Sequence, residues 1–156
     1  MVSANLMDAI RIVKENERIA CESYLESSKN LTNPLAKELF EQLSKFEKFH
    51  FDKITALEKS LLETGKFIEY EGKEFPLPPV FEIKAAKEPN KKSVMQIVSE
   101  ARELELKAEK TYASLADEIP DQQGKDMFKK LSSEEHNHYL ILSKAYWSLN
   151  QTGKWS

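Results

Sequence analysis

Apolar residues recur along this chain at steps of three and four over four long stretches, the pattern of amphipathic helices. In the first, Leu6, Ile10, Val13, Ala20, Cys21 and Tyr24 share one face, which predicts a helix over about 5 to 29. The second carries Ala36, Leu39, Phe40, Leu43, Phe46, His50, Ile54, Leu57 and Leu61. An Asn33-Pro34 start and a Gly65 stop bracket it at about 33 to 64. Ser93 is the expected N-cap of the third, which runs through Val94, Ile97, Val98, Ala101, Ala108, Tyr112 and Leu115 to a stop at Pro120. The fourth holds Met127, Phe128, Leu131, His138, Leu142, Ala145, Tyr146 and Leu149.

Between the second and third stretches, residues 65–92 hold Gly65, Gly72, Pro76, Pro78, Pro79 and Pro89, a density of breakers that no helix survives. Bundle helices are usually joined by a few residues, so a connection of about 28 needs a reason. Each long helix spans roughly 45 Å, and this segment can reach about 90 Å when extended, enough to cross a bundle end to end. An all-α fold follows: an antiparallel four-helix bundle with one long crossover between helices 2 and 3, with 1–156 as one domain. Phe67 to Phe75 is a candidate short hairpin within the crossover, and Lys84 to Lys92 reads as solvated linker.

Composition narrows the function classes. A net charge of −3 on 156 residues, with pI near 5.7, argues against nucleic acid or an anionic membrane as partner. No apolar run reaches the length of about 18 residues that a span needs, and the start lacks a signal peptide's apolar segment. A soluble, cytoplasmic protein is expected. The single cysteine, Cys21, excludes an intramolecular disulfide and a four-Cys metal site.

The two helical pairs repeat at a fixed offset of 88 residues without a gap. Glu17, Ala20, Tyr24, Phe40, Leu43, Glu47 and His50 become Glu105, Ala108, Tyr112, Phe128, Leu131, Glu135 and His138. Each half therefore reads Glu-x-x-Ala-x-x-x-Tyr, then Phe-x-x-Leu-x-x-x-Glu-x-x-His. The chain has only three histidines, and two of them fall at equivalent positions. Glu17 and Glu47 lie equally far from the first turn, as Glu105 and Glu135 do from Pro120, so all four sit at one level about 22 Å along the helices. Each Glu-x-x-His pair projects from one helical face.

All six of these residues occupy slots within the apolar stripes. Four bare carboxylates there would each cost several kcal/mol or take up protons, and no inward lysine or arginine neutralises them. Two divalent cations balance four carboxylates, and two neutral imidazoles complete the donor set. Mixed carboxylate and imidazole donors favour iron or manganese, with zinc as an adventitious occupant.

These residues resemble the ferritin-like di-iron carboxylate family in its rubrerythrin-type branch, over about 5 to 149. The resemblance implies two iron ions, with Glu17 and Glu105 as terminal ligands, Glu47 and Glu135 as bridges and His50 and His138 as imidazole ligands. It also implies catalysis at Glu17, Glu47, Glu105 and Glu135, and a homodimer. Two departures stand out. The four-Cys iron site of rubrerythrins proper is missing, which implies an external electron donor protein. The further carboxylate that rubrerythrins carry three residues after the helix 3 Glu is Ala108 here. A storage shell is not expected, because cage ferritins need a fifth helix.

Tyr24 and Tyr112 are candidates to hydrogen-bond the ligand carboxylates, or else pack in the core with satisfied hydroxyls. Cys21 reads as a small buried hydrophobe, Glu109 as a helix-face acid and His136 as exposed. Glu134 competes with Glu135 for ligand status, and the repeat favours Glu135. The expected function is reduction of hydrogen peroxide or dioxygen by a non-haem di-iron oxidoreductase. A ferroxidase or iron-handling protein, a non-catalytic metal-binding bundle and a metal-free interaction bundle are the alternatives.

Overall fold

The computed structural model describes residues 3–73 and 88–155. Four helices account for most of them: α1 (Ala4–Asn30), α2 (Pro34–Thr64), α3 (Lys91–Glu118) and α4 (Gln122–Thr152). Their ends follow local chemistry. Ser3 caps α1 by accepting from the Leu6 amide, and Asn33 accepts from Leu35 and Ala36 with Pro34 in the first turn of α2. Asp121 accepts from the Gly124 amide at the start of α4. Gly65 and Gly153 close α2 and α4 with φ of 73° and 70°, the left-handed geometry that glycine adopts without steric cost.

Two expectations need correction. α3 starts at Lys91 with Asn90 as its N-cap, so Ser93 lies inside the helix. Pro89 is the true breaker, and nothing in Lys91 and Lys92 opposes helix, so winding begins directly after it. Nor do residues 67–73 pair as a hairpin; they run without strand structure. Phe67, Ile68 and Tyr70 pack on the helical core instead, and that burial outweighs what a two-stranded ladder open to water would supply. Phe75, the far end of the expected hairpin, lies outside the described residues, as does half of the expected crossover.

The helices pack in pairs, α1 along α2 and α3 along α4, whereas α1 and α3 touch only over a short stretch. Two apolar clusters fill the interior. One gathers Ile10, Val13, Ile54, Leu57, Tyr112, Phe128 and Leu131; the other gathers Tyr24, Leu39, Phe40, Leu43, Val98, Leu142 and Leu149. Between these two clusters, midway along all four helices, fall the six acids and histidines of the repeat. The chain end is tied down by Trp155, whose indole N–H donates to buried Glu88 at 2.9 Å. Among the described residues no helix is long and apolar enough to cross a membrane.

Candidate metal centre

Each helix delivers its polar residues to the level between the two apolar clusters. α1 contributes Glu17, α2 Glu47 and His50, α3 Glu105, and α4 Glu135 and His138; none is more than 3% exposed. Water therefore cannot solvate them, and the group must be neutralised from within.

The six converge on two centres. Nδ1 of His50 lies 2.9 Å from Glu135 Oε1, 3.3 Å from Glu47 Oε2 and 3.6 Å from Glu17 Oε1. Nδ1 of His138 lies 3.3 Å from Glu47 Oε1, 3.5 Å from Glu105 Oε2 and 3.8 Å from Glu135 Oε1. Close as the first set is, His50 Nδ1 makes no aligned hydrogen bond, and neither do Glu17 Oε2, both Glu47 oxygens, Glu105 Oε2 or Glu135 Oε1. Buried polar atoms are almost always hydrogen-bonded, so such a concentration of orphans marks a place built for something other than hydrogen bonds. Donor atoms at right angles on an ion with bonds of about 2.1 Å stand about 3.0 Å apart, and the observed spacings sit at or just above that. Two sets of donor atoms each fit one ion: Glu17, Glu47, His50 and Glu135, and Glu47, Glu105, Glu135 and His138. Glu47 and Glu135 belong to both.

The electrostatics express the same crowding. Burial, then the charge of Glu47, pushes the carboxyls of Glu17 and Glu105 up. Burial and the charges of Glu105, Glu47 and Glu17 push Glu135 well up. Burial acts against ionised Glu47 too, but contacts with Glu17, His138 and His50 hold it well below the usual range. Burial opposes charge on both imidazoles, yet the surrounding carboxylates win: His50 is raised well above its ordinary value and His138 to about 9. Without a metal this cluster keeps protons on groups that are ionised or neutral ligands when a metal binds.

Both tyrosines reach the carboxylates. The Tyr24 hydroxyl on α1 donates to Glu105 Oε1 on α3 at 2.7 Å, and the Tyr112 hydroxyl on α3 donates to Glu17 Oε1 on α1. The repeat is thus also a crossed pair of hydrogen bonds. Burial, then the nearby carboxylates, pushes both phenols well up, so they remain donors.

One residue of the surround was set aside in the sequence. Glu134 is buried, and its Oε1 meets His50 Nε2 at 3.2 Å on the side of the ring away from the cluster. The Tyr70 hydroxyl donates to the same oxygen, and the Lys73 amide donates to Oε2 at 2.8 Å. Burial disfavours the ionised form, but His50, Tyr70 and Lys73 together hold its carboxyl below the usual range. Gly72 allows this approach with φ of 82°; a Cβ there would come within 3.0 Å of Glu134 Oε2 and 2.6 Å of Lys130 Cε. The repeat offered no signal for Glu134, because its counterpart in the first half is Phe46, whose ring meets His138 edge-on at 4.4 Å.

Cys21 and Glu109 stay outside the group. Cys21 is half-buried with its Sγ 3.4 Å from the Ser44 hydroxyl, and Glu109 pairs with exposed His136 at 3.0 Å. Each of the two groups could hold a metal ion, and each includes one imidazole. No protein-family model, curated protein or solved structure matches this chain.

Proposed function

We propose that this chain is a ferritin-like, rubrerythrin-type non-haem di-iron oxidoreductase that reduces hydrogen peroxide or dioxygen. The observation that carries the reading is the sharing of Glu47 and Glu135 between two otherwise separate donor sets, which is what a carboxylate-bridged pair requires. The topology belongs to the same reading. Along α1 and α2, Arg11 meets Glu58 while Cys21 meets Ser44, so these two helices run in opposite directions, as an antiparallel bundle has them.

Iron is favoured by the donor set of four carboxylates and two imidazoles, with manganese or zinc as substitutes. A bound iron pair would supply the two electrons that, with two protons, carry a peroxide to two waters. The protein's own part is positional. Glu134 holds His50 Nε2, leaving Nδ1 as the atom turned to the centre. The Tyr24 and Tyr112 hydroxyls orient the outer carboxylates Glu105 and Glu17. The apolar clusters on either side keep bulk water away, which strengthens every charge interaction within. Electrons come from a separate donor protein, since Cys21 alone cannot build the four-Cys iron site.

The test is anaerobic reconstitution with ferrous iron, a metal count, an optical spectrum after oxidation, and peroxide consumption with a chemical reductant. About two irons per chain, retained over repeated turnovers that outpace free iron, is the expected result. Absence of stoichiometric metal overturns the reading. Iron that leaves after each oxidation reassigns the same residues to iron handling.

A further inference from the structure

The cluster is not covered equally on all sides. Behind His50 stand Glu134, Tyr70 and the Lys73 backbone, and the Phe46 ring lies against His138. On the opposite side, between α1 and α3, a cavity of about 90 Å³ opens onto the cluster. Carboxylates Glu17, Glu47 and Glu135 form its floor. Its walls include Val13 and the repeat mates Ala20 and Ala108, while Ile19 and Leu104, 46% and 38% exposed, stand at the rim.

We infer that this cavity is the entrance for a small uncharged oxidant, with Ala20 and Ala108 setting its width and Leu104 its mouth. The inference rests on the proposed function and adds the route by which its oxidant reaches the centre. Three carboxylates at the floor repel anions, Lys107 in the lining is exposed to water, and the deeper walls are largely apolar, so a neutral molecule enters at less cost than an anion. Size excludes more. A cavity of about 150 Å³ holds one benzene ring, so the space here suits dioxygen or hydrogen peroxide and rejects an aryl hydroperoxide. Alanine at both repeat positions keeps the way open. A leucine at either one adds three carbons to a passage only a few atoms across. Because Ala20 packs with one apolar cluster and Ala108 with the other, the passage follows the seam between them.

The experiment uses whole protein reconstituted anaerobically with ferrous iron, with nitric oxide as a small uncharged probe followed optically, alongside metal counts. In A108L the metal content stays at the unmodified level while nitric oxide association slows by about tenfold or more, equal to about 1.4 kcal/mol of added barrier. A second variant, L104A, opens the mouth and raises the rate with cumene hydroperoxide about fivefold or more while hydrogen peroxide reacts at the unmodified rate. Nitric oxide binding at the unmodified rate in fully metallated A108L overturns the entrance. Should A108L fail to hold metal, an unchanged cumene hydroperoxide rate in L104A overturns it instead. Failure of unmodified protein to take up metal is a different outcome, since it removes the metal pair itself.

Discussion

Glu134 Oε1 lies 3.2 Å from Nε2 of His50, on the opposite side of the imidazole from the nitrogen that faces the buried acids. A carboxylate in that place fixes which ring nitrogen carries the proton and raises the basicity of the other. Glu134→Gln keeps the size but loses the charge. Metal affinity at the His50 position is expected to fall about 10- to 100-fold, with the fold intact. Competition against a metal chelator, compared with unmodified protein, measures it.

Metal uptake by this cluster is expected to release protons. Glu17, Glu105 and Glu135 have raised carboxyl values, and both imidazoles are raised, His138 to about 9. Raised values keep protons on these groups to higher pH than usual, and metal binding displaces protons, so affinity falls as pH falls. A metal titration in weakly buffered solution acidifies if this is right.

The same shifts set the pH response of metal-free protein. A group raised on folding stabilises fully below its unfolded value and loses that contribution as pH rises through its folded value. For His138 the loss runs from 6.5 upward through about 9, and the raised carboxyls act in the same sense from 4.5 upward. Glu47 acts oppositely, its contribution fading as pH falls below 4.5. Melting temperature of metal-free protein is therefore expected to drop between about pH 6.5 and 9, and bound metal to remove most of that slope. Thermal melts with and without metal across this interval supply the comparison.

Tyr24→Phe and Tyr112→Phe each withdraw a hydroxyl from a buried carboxylate oxygen. Losing such a donor costs about 1 to 3 kcal/mol. Because the two bonds are related by the repeat, the two losses are expected to be similar. Urea denaturation of each variant, with unchanged slopes, tests both size and symmetry.

Glu47 lies in both donor sets, so its removal separates a metal site from a polar core. Glu47→Ala is expected to lower the metal count below about two per chain and to weaken the metallated fold. In metal-free protein the same change removes the carboxylate that faces both imidazoles, so stability is expected to fall there as well. Loss of stability in metal-free protein with no change in bound metal would contradict the assignment.

The positions of the six central residues were legible from the sequence alone. Side-chain direction on a helix follows its period, so an acid in an apolar stripe is committed to the interior wherever the helix packs. The offset between the halves then put Glu17 with Glu105, Glu47 with Glu135 and His50 with His138 at matching levels. Helix ends at Asn33, Gly65 and Pro120 were equally visible, because caps and breakers act within a turn. Ser93 misled because α3 begins at Lys91 without a side-chain cap, Asn90 included, so no capping bond marks its start.

The surroundings of those residues were decided by tertiary structure. Glu134 and Phe46 occupy equivalent repeat positions yet meet the histidines with unlike chemistry, and a repeat can disclose only what its halves share. Tyr70, Lys73 and Gly72 reach Glu134 from a segment with neither helical nor strand period, so nothing local announces where it lies. The crossed tyrosine bonds and the gap between α1 and α3 likewise depend on how closely separate helices approach. Periodicity dictates which way a side chain faces; distance between elements far apart in the chain is set by the packing of everything between them, and that is where the chemistry of this centre is tuned.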